Sequence, residues 1–321
     1  MKYRQLGRSA LRVSELCLGT MNFGPRTSEA ESFAILDAAV EAGINFIDTA
    51  NQYGGGLGVG TTETILGNWL AQDPGRRDRI VLATKVHEPM SDDINDRGLS
   101  ARHIQMACDA SLKRLKVDHI DLYQMHHIDR LAPVEEIWQA MDRLIAQGKI
   151  TYVGSSNFPG WKIAQVNEKA IARGRLGLVS EQGLYNLIER RAEMEVLPAC
   201  REYGVGVIAW SPLAGGLLAG KVAADTGRRQ TDQMKQAAAA RDEQLSRFAS
   251  LCAELGETQS AVALAWLLHQ PGMTSAIIGP GSRQQLTSVL QAPDISLTDD
   301  VLARIDALFP AVGPSPEAYA W

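Results

Sequence analysis

Four side chains have the types and spacing for proton-coupled chemistry at a carbonyl: Asp48, Tyr53, Lys85 and His126. Each stands at or just past the end of an apolar, β-rich run. Asp48 is followed by Thr49-Ala50-Asn51-Gln52-Tyr53, Thr84-Lys85 closes the run from Ile80, and Tyr123-Gln124-Met125-His126-His127 closes a third. Singly, each has a plain structural explanation: a cap, a surface aromatic, an edge charge. Together they converge on one chemistry. A lysine at the mouth of a closed sheet needs a counter-charge, and Asp48 on the adjacent strand supplies it. A phenol within about 4 Å of that ammonium gains up to roughly 4 kcal/mol in its ionised form at an effective dielectric of about 20. That lowers a pKa near 10 by up to about three, toward the range of a general acid at neutral pH. His126, from the next strand but one, is placed to donate to a carbonyl oxygen and fix its orientation. The set suits protonating an oxygen as hydride arrives on its carbon.

Eight β-rich runs position these groups: Leu16 to Thr20, Asn45 to Ala50, Ile80 to Val86, Ile120 to His127, Ile150 to Asn157, Leu178 to Asn186, Val205 to Pro212, and Ser275 to Gly279. Helical periodicity lies between them, as in Phe33, Leu36 and Val40, in Ile104, Cys108 and Leu112, and in Ile137, Met141, Leu144 and Ile145. Strands alternating with helices imply parallel pairing. Eight units without a visible linker favour a closed (β/α)8 TIM barrel over a doubly wound open sheet, as one domain spanning residues 1–321. Lys2 to Ser14 reads as an N-terminal β-hairpin plugging the barrel bottom. Ala223 to Arg241 reads as a loop or lid, Glu243 to Gln270 as two helices, and Asp299 to Phe309 as an extra C-terminal helix.

Composition narrows the class. The 321 residues carry 32 Lys+Arg against 37 Asp+Glu, and a net charge of -5 argues against a nucleic-acid footprint or a polybasic membrane anchor. No apolar run approaches the roughly 20 residues of a membrane span. The amino-terminal segment lacks the apolar core of a secretory signal, so a cytoplasmic protein is expected. The four cysteines, Cys17, Cys108, Cys200 and Cys252, form no C-x-x-C pair and read as reduced packing residues. His87, His103, His119 and His269 show no ligand spacing, and no metal is implied. Strand alternation points His127 the other way from His126, as a packing residue or one that backs the site.

Six motifs in order resemble the aldo-keto reductases: Leu18-Gly19-Thr20-Met21, Ile47-Asp48-Thr49-Ala50 with Tyr53-Gly54, Ala83-Thr84-Lys85, Asp121-Leu122-Tyr123-Gln124-Met125-His126, Gly154-Ser155-Ser156-Asn157-Phe158, and Trp210-Ser211-Pro212-Leu213. The resemblance covers nearly the whole chain and implies the same barrel. It implies Tyr53 as general acid, Lys85 and Asp48 as its tuning groups, and His126 as the group that orients a small-molecule carbonyl substrate.

The cofactor implied by the resemblance is NADPH, with NADH as the alternative. The run from Gly54 to Gly60 fails the G-x-G-x-x-G pattern at Val59, so a Rossmann domain is not expected. Barrels commonly hold phosphate at the loops after their last two strands, where helix N-termini present free N–H groups, and Gly279-Pro280-Gly281-Ser282 opens a helix there. By resemblance this loop and Ser211 to Lys221 hold the dinucleotide phosphates, including Pro212, Leu213 and Gly216. Ser156, Asn157 and Gln182 face the carboxamide, and Trp210 stacks on the nicotinamide. Thr20, Met21 and Asp48 border the same cleft, and Gly281 and Gln285 meet the adenosine half. Ser288-Val289 stands where the family has a Glu-Asn pair. Arg283, Lys221, Arg228 or Arg229 are the candidate partners of a 2′-phosphate.

Two rival functions fit parts of this pattern. Similarity to the potassium-channel β subunits implies a nucleotide-sensing binding subunit with incidental turnover, although those relatives replace the histidine that is His126 here. A barrel isomerase using Lys85 as a Schiff base leaves Tyr53 and Trp210 without a role. A narrower similarity, to reductases of nucleotide-linked keto-sugars, rests on Tyr123-Gln124-Met125-His126-His127 and Val153-Gly154-Ser155-Ser156-Asn157.

Overall fold

The computed structural model describes residues 1–220, 231–314 and 316. Eight short apolar strands follow an antiparallel hairpin, β1 (Tyr3–Gln5) and β2 (Arg12–Ser14). They are β3 (Leu16–Gly19), β4 (Phe46–Asp48), β5 (Val81–Val86), β6 (Ile120–Met125), β7 (Ile150–Ser156), β8 (Leu178–Leu184), β9 (Gly206–Trp210) and β10 (Met273–Ile278). All pair in parallel and close on themselves, β10 meeting β3 on one side and β9 on the other. Closure leaves no open edge, which is how near-continuous Val, Ile and Leu runs stay buried on both faces.

Helices cover the outside: α1 (Glu29–Glu41), α2 (Thr61–Leu70), α3 (Gly75–Asp78), α4 (Ala101–Leu115), α5 (Val134–Ala146), α6 (Gly160–Ile171), α7 (Val196–Glu202), α8 (Asp232–Ala239), α9 (Asp242–Glu254), α10 (Gln259–His269), α11 (Arg283–Thr287) and α12 (Asp299–Leu308). Their starts are written locally. Ser28, Ser100, Thr231, Thr258, Ser282 and Thr298 each accept the N–H of the residue three further on.

The hairpin closes the amino-terminal mouth. Leu6 and Val13 join Cys17, Phe46, Val81, Leu122, Val179 and Ile208 in one apolar cluster inside the barrel. Gly7 is required at the turn: its φ is +54°, and a Cβ there would lie 2.3 Å from the Val179 carbonyl oxygen. The four cysteines are free and buried. No described helix is long and apolar enough to cross a membrane.

Several strands stop sooner than their apolar runs. Asn157 and Ser211, read as strand residues, adopt φ of 59° and 54°, left-handed values that end β7 and β9. The last strand begins at Met273 rather than Ser275, with a register shift against β9 between those two residues. The lid expected over Ala223 to Arg241 is helical where described, since Thr231 caps α8. Lys221, Arg228 and Arg229 lie outside the described residues.

Candidate functional site

The carboxyl mouth of the barrel gathers the four groups singled out above. Parallel register sets Asp48 beside Ala83, and Lys85 beside Gln124, so the inward side chains of β4, β5 and β6 meet at neighbouring levels. Lys85 is fully buried. Its Nζ donates to Asp48 Oδ2 at 2.5 Å, to the Thr49 carbonyl at 2.9 Å and to the Tyr53 hydroxyl at 3.3 Å. Burial by itself lowers a lysine's pKa. Here the attraction of Asp48 and Tyr53 outweighs it and holds the ammonium above its usual range.

Asp48 uses its other oxygen. Oδ1 accepts from Gln124 Nε2 at 3.0 Å and from Gln182 Nε2 at 2.8 Å, so both carboxylate oxygens are engaged in a buried position. Fully satisfied, such a network is rigid; losing one member would strand a charge.

His126 follows β6, and its ring meets the Tyr53 ring edge-on with centroids 5.8 Å apart. Desolvation, reinforced by the Lys85 charge and by His127 and His87, lowers its pKa to about 2. The imidazole is therefore neutral, and Nδ1 is buried with no partner among the described residues. His127 does not point away. Because β6 ends at Met125, alternation stops, and His127 stacks on His126 with centroids 5.1 Å apart while its Nε2 lies 3.3 Å from Glu88.

A second set of groups lies beside this cluster. Ser156 Oγ donates to the Gln182 carbonyl at 2.8 Å. The Asn157 Nδ2 donates to the His126 carbonyl and to Ser156 Oγ, both at 3.0 Å, and its Oδ1 accepts the Trp210 indole N–H at 3.0 Å. Thr20 Oγ1 donates to the Asp48 carbonyl, and Met21 is exposed at the rim. After β9, Ser211, Pro212 and Leu213 lead into a turn where Gly215 and Gly216 have positive φ.

The loop after β10 and the first turn of α11 have protein acceptors on three N–H groups: the Gly281 N–H donates to Gln285 Oε1 at 2.7 Å, Gln285 N–H to Ser282 Oγ at 3.3 Å, and Arg283 N–H to Glu31 Oε1 at 3.2 Å. The five-residue α11 is thus capped in part by protein groups, Ser282 above all.

The sequence profile of the Aldo/keto reductase family matches residues 15–309. The chain belongs to the aldo/keto reductase family. Among its relatives, the "Uncharacterized oxidoreductase YrpG" of Bacillus subtilis is 51% identical with all of both chains covered. A "Probable voltage-gated potassium channel subunit beta" of Oryza sativa subsp. japonica is 35% identical over 99% of this chain and 100% of its own. "Norsolorinic acid reductase B" of Aspergillus parasiticus is 35% identical over 95% of this chain and 83% of its own. As an aldo/keto reductase the protein is an NAD(P)H-dependent oxidoreductase.

In this aldo/keto reductase, sequence reasoning overlooked Gln124 and Glu181. Gln124 had a readable signal, two residues before His126 on one face of a strand. Glu181 did not. Where Val153 pairs with Leu178 and Gly154 with Ser180, Val179 is an extra residue, a bulge that turns Ser180 and Gln182 inward and Glu181 outward.

Proposed function

We propose that this reductase converts an aldehyde or ketone to the alcohol using NADPH, with Tyr53 as general acid. The observation that carries the reading is the Tyr53 hydroxyl 3.3 Å from a fully buried, carboxylate-paired ammonium. A positive charge there favours the phenolate and lowers the cost of releasing the phenolic proton. The neutral His126 ring donates to the substrate carbonyl oxygen without adding a charge that would compete with Lys85. Asp48, tied by Gln124 and Gln182, keeps the ammonium at the phenol.

The donor set fits a nicotinamide. Ser156, Asn157 and Gln182 offer the hydroxyl and amide groups that match a carboxamide, and the Trp210 ring is fixed beside them by its bond to Asn157. When bound, NADPH supplies hydride to the carbonyl carbon; the chain supplies the proton from Tyr53 and the dry, oriented pocket. Arg283 is the candidate for a 2′-phosphate among the described residues, with Lys221, Arg228 and Arg229 further candidates outside them. Its guanidinium and the Glu31 carboxylate near its N–H set the contest between NADPH and NADH, which their KM values measure directly.

Replacing Tyr53 by Phe removes the proton donor and one acceptor of Lys85 Nζ, and leaves Asp48 and the Thr49 carbonyl to hold the ammonium. Turnover of 4-nitrobenzaldehyde is expected to drop about 10²- to 10⁴-fold, with NADPH binding and folding unchanged. Wild-type turnover in a folded, cofactor-binding Tyr53→Phe protein would refute the reading. The relatives named as channel subunits support a second reading, nucleotide sensing. Minutes-long retention of the nucleotide after a single turnover of bound NADPH would favour it.

A further inference from the structure

Glu181 is a buried acid for which the reaction has no use. On the outer face of β8, behind Gln182, it has no exposed surface, and among the described residues no Lys or Arg pairs with it. A lone buried carboxylate is costly, so its retention points to what it holds. Its carboxyl is hydrogen-bonded to the Ser155 hydroxyl, and Oε1 accepts the Phe158 N–H at 2.9 Å. Residues 155 and 158 bracket Ser156 and Asn157, the two groups on the other side of the same wall that suit a carboxamide. Asn157 is in a left-handed conformation, φ 59°, that its own backbone does not favour strongly, so the turn must be fixed from outside. The next N–H along, that of Gly160, is taken by Glu195 Oε1 at 2.9 Å.

We propose that Glu181 is a positioning residue for the nicotinamide half of the cofactor: by holding Ser155 and Phe158 it fixes the Ser156–Asn157 turn, and Trp210 with it, in the conformation that receives the carboxamide. This rests on the cofactor reading above. The charge problem resolves itself. Burial raises the Glu181 carboxyl to about 8, only partly offset by its bonds from Ser155 and from the Phe158 and Asn157 backbone, so near neutral pH it is largely the neutral acid. With the proton on Oε2 it donates to Ser155 Oγ, whose own hydroxyl turns to the Ser180 carbonyl at 3.5 Å, while Oε1 keeps the Phe158 N–H. Glutamine reproduces that pattern; methionine, of similar size, does not.

The test titrates wild type, Glu181→Gln and Glu181→Met at pH 7 by calorimetry with NADP+ and with 2′,5′-ADP, which lacks the nicotinamide. Glu181→Met is expected to bind NADP+ about tenfold to a hundredfold more weakly, with 2′,5′-ADP within about twofold of wild type. Glu181→Gln is expected to match wild type for both. Equal losses for the two ligands would mean a merely structural role and overturn the proposal. So would an unimpaired Glu181→Met, or a Glu181→Gln as weak as it. Should Glu181→Met not fold, Ser155→Ala, removing the side-chain bond to Glu181, carries the same expectation at a severalfold loss confined to NADP+, and an equal loss for both ligands or none would overturn the proposal. A wild type that binds neither NADP+ nor NAD+ would instead sink the cofactor reading.

Discussion

At the amino-terminal mouth of the barrel, Leu6 and Val13 close the interior against Phe46, Val81 and Val179; at the carboxyl mouth the same interior holds Lys85, Asp48, Gln124 and Gln182. The two ends are built by the same strands, two to four residues apart. One end gains stability from removing apolar surface from water. The other is full of groups that cost free energy to bury, and its charged members, Lys85 and Asp48, are tolerated because they pair. Among the described residues, orphans gather at that end, the Thr49 hydroxyl, both amide atoms of Asn51, the Ser180 hydroxyl and His126 Nδ1, whereas the hairpin plug leaves Arg8 Nε. Stability and chemistry are therefore separable along the barrel axis, and substitutions at the two mouths should fail differently.

The largest effect is expected from Lys85→Met. It leaves the Asp48 carboxylate buried with two amide donors and no cation, a loss of about 3–5 kcal/mol in stability, together with loss of turnover. Adding Asp48→Asn should return much of the stability, because an amide oxygen still accepts from Gln124 and Gln182, and none of the turnover. Urea unfolding of both single variants and the double variant measures the coupling. Additive losses would show that the ion pair is not the unit that holds the mouth together.

Leu6→Ala tests the opposite end. Deleting a fully buried leucine from the plug should cost about 2–5 kcal/mol. At temperatures where the variant stays folded, KM and kcat should hold at wild-type values, since Leu6 packs in the apolar cluster of the opposite mouth. A fall in kcat as large as the fall in stability would join the two ends that the structure separates.

Much of this separation is legible in the sequence, because it rests on local pattern. Eight apolar runs with helical periods between them fix the barrel, and polar residues at their ends, Asp48, Lys85 and His126, converge because strand ends converge. What escaped reading depends on events off the local pattern. Asn157 and Ser211 look like strand until the backbone turns left-handed. His127 follows alternation only as long as the strand lasts, and β6 ends two residues before it. Glu181 faces outward only because one bulge at Val179 shifts the phase of β8. The capped N-terminus of α11 depends on Glu31, 252 residues away in sequence.

The smallest effect is a pH dependence that belongs to the polar mouth and its outer wall. His126 and Glu181 are both neutral when folded, and burial is the first cause for each, yet it tilts stability in opposite directions. His126 titrates at about 2 in the fold against 6.5 unfolded, so between those values the unfolded chain binds the extra proton. Its contribution is present above pH 6.5 and is lost as pH falls. Glu181 titrates at about 8 against 4.5, so the folded chain binds the extra proton. Its contribution is present below pH 4.5 and is lost as pH rises through 8. Between 4.5 and 6.5 the two slopes cancel, and above 6.5 Glu181 acts without its counterweight. From pH 6.5 to 8 it should remove up to about 2 kcal/mol. Melting temperatures of wild type and Glu181→Gln across that range should diverge, the wild type falling and the variant staying level. Parallel curves would mean that Glu181 is already ionised in the fold, and the neutral-acid account of its bond to Ser155 would have to be given up.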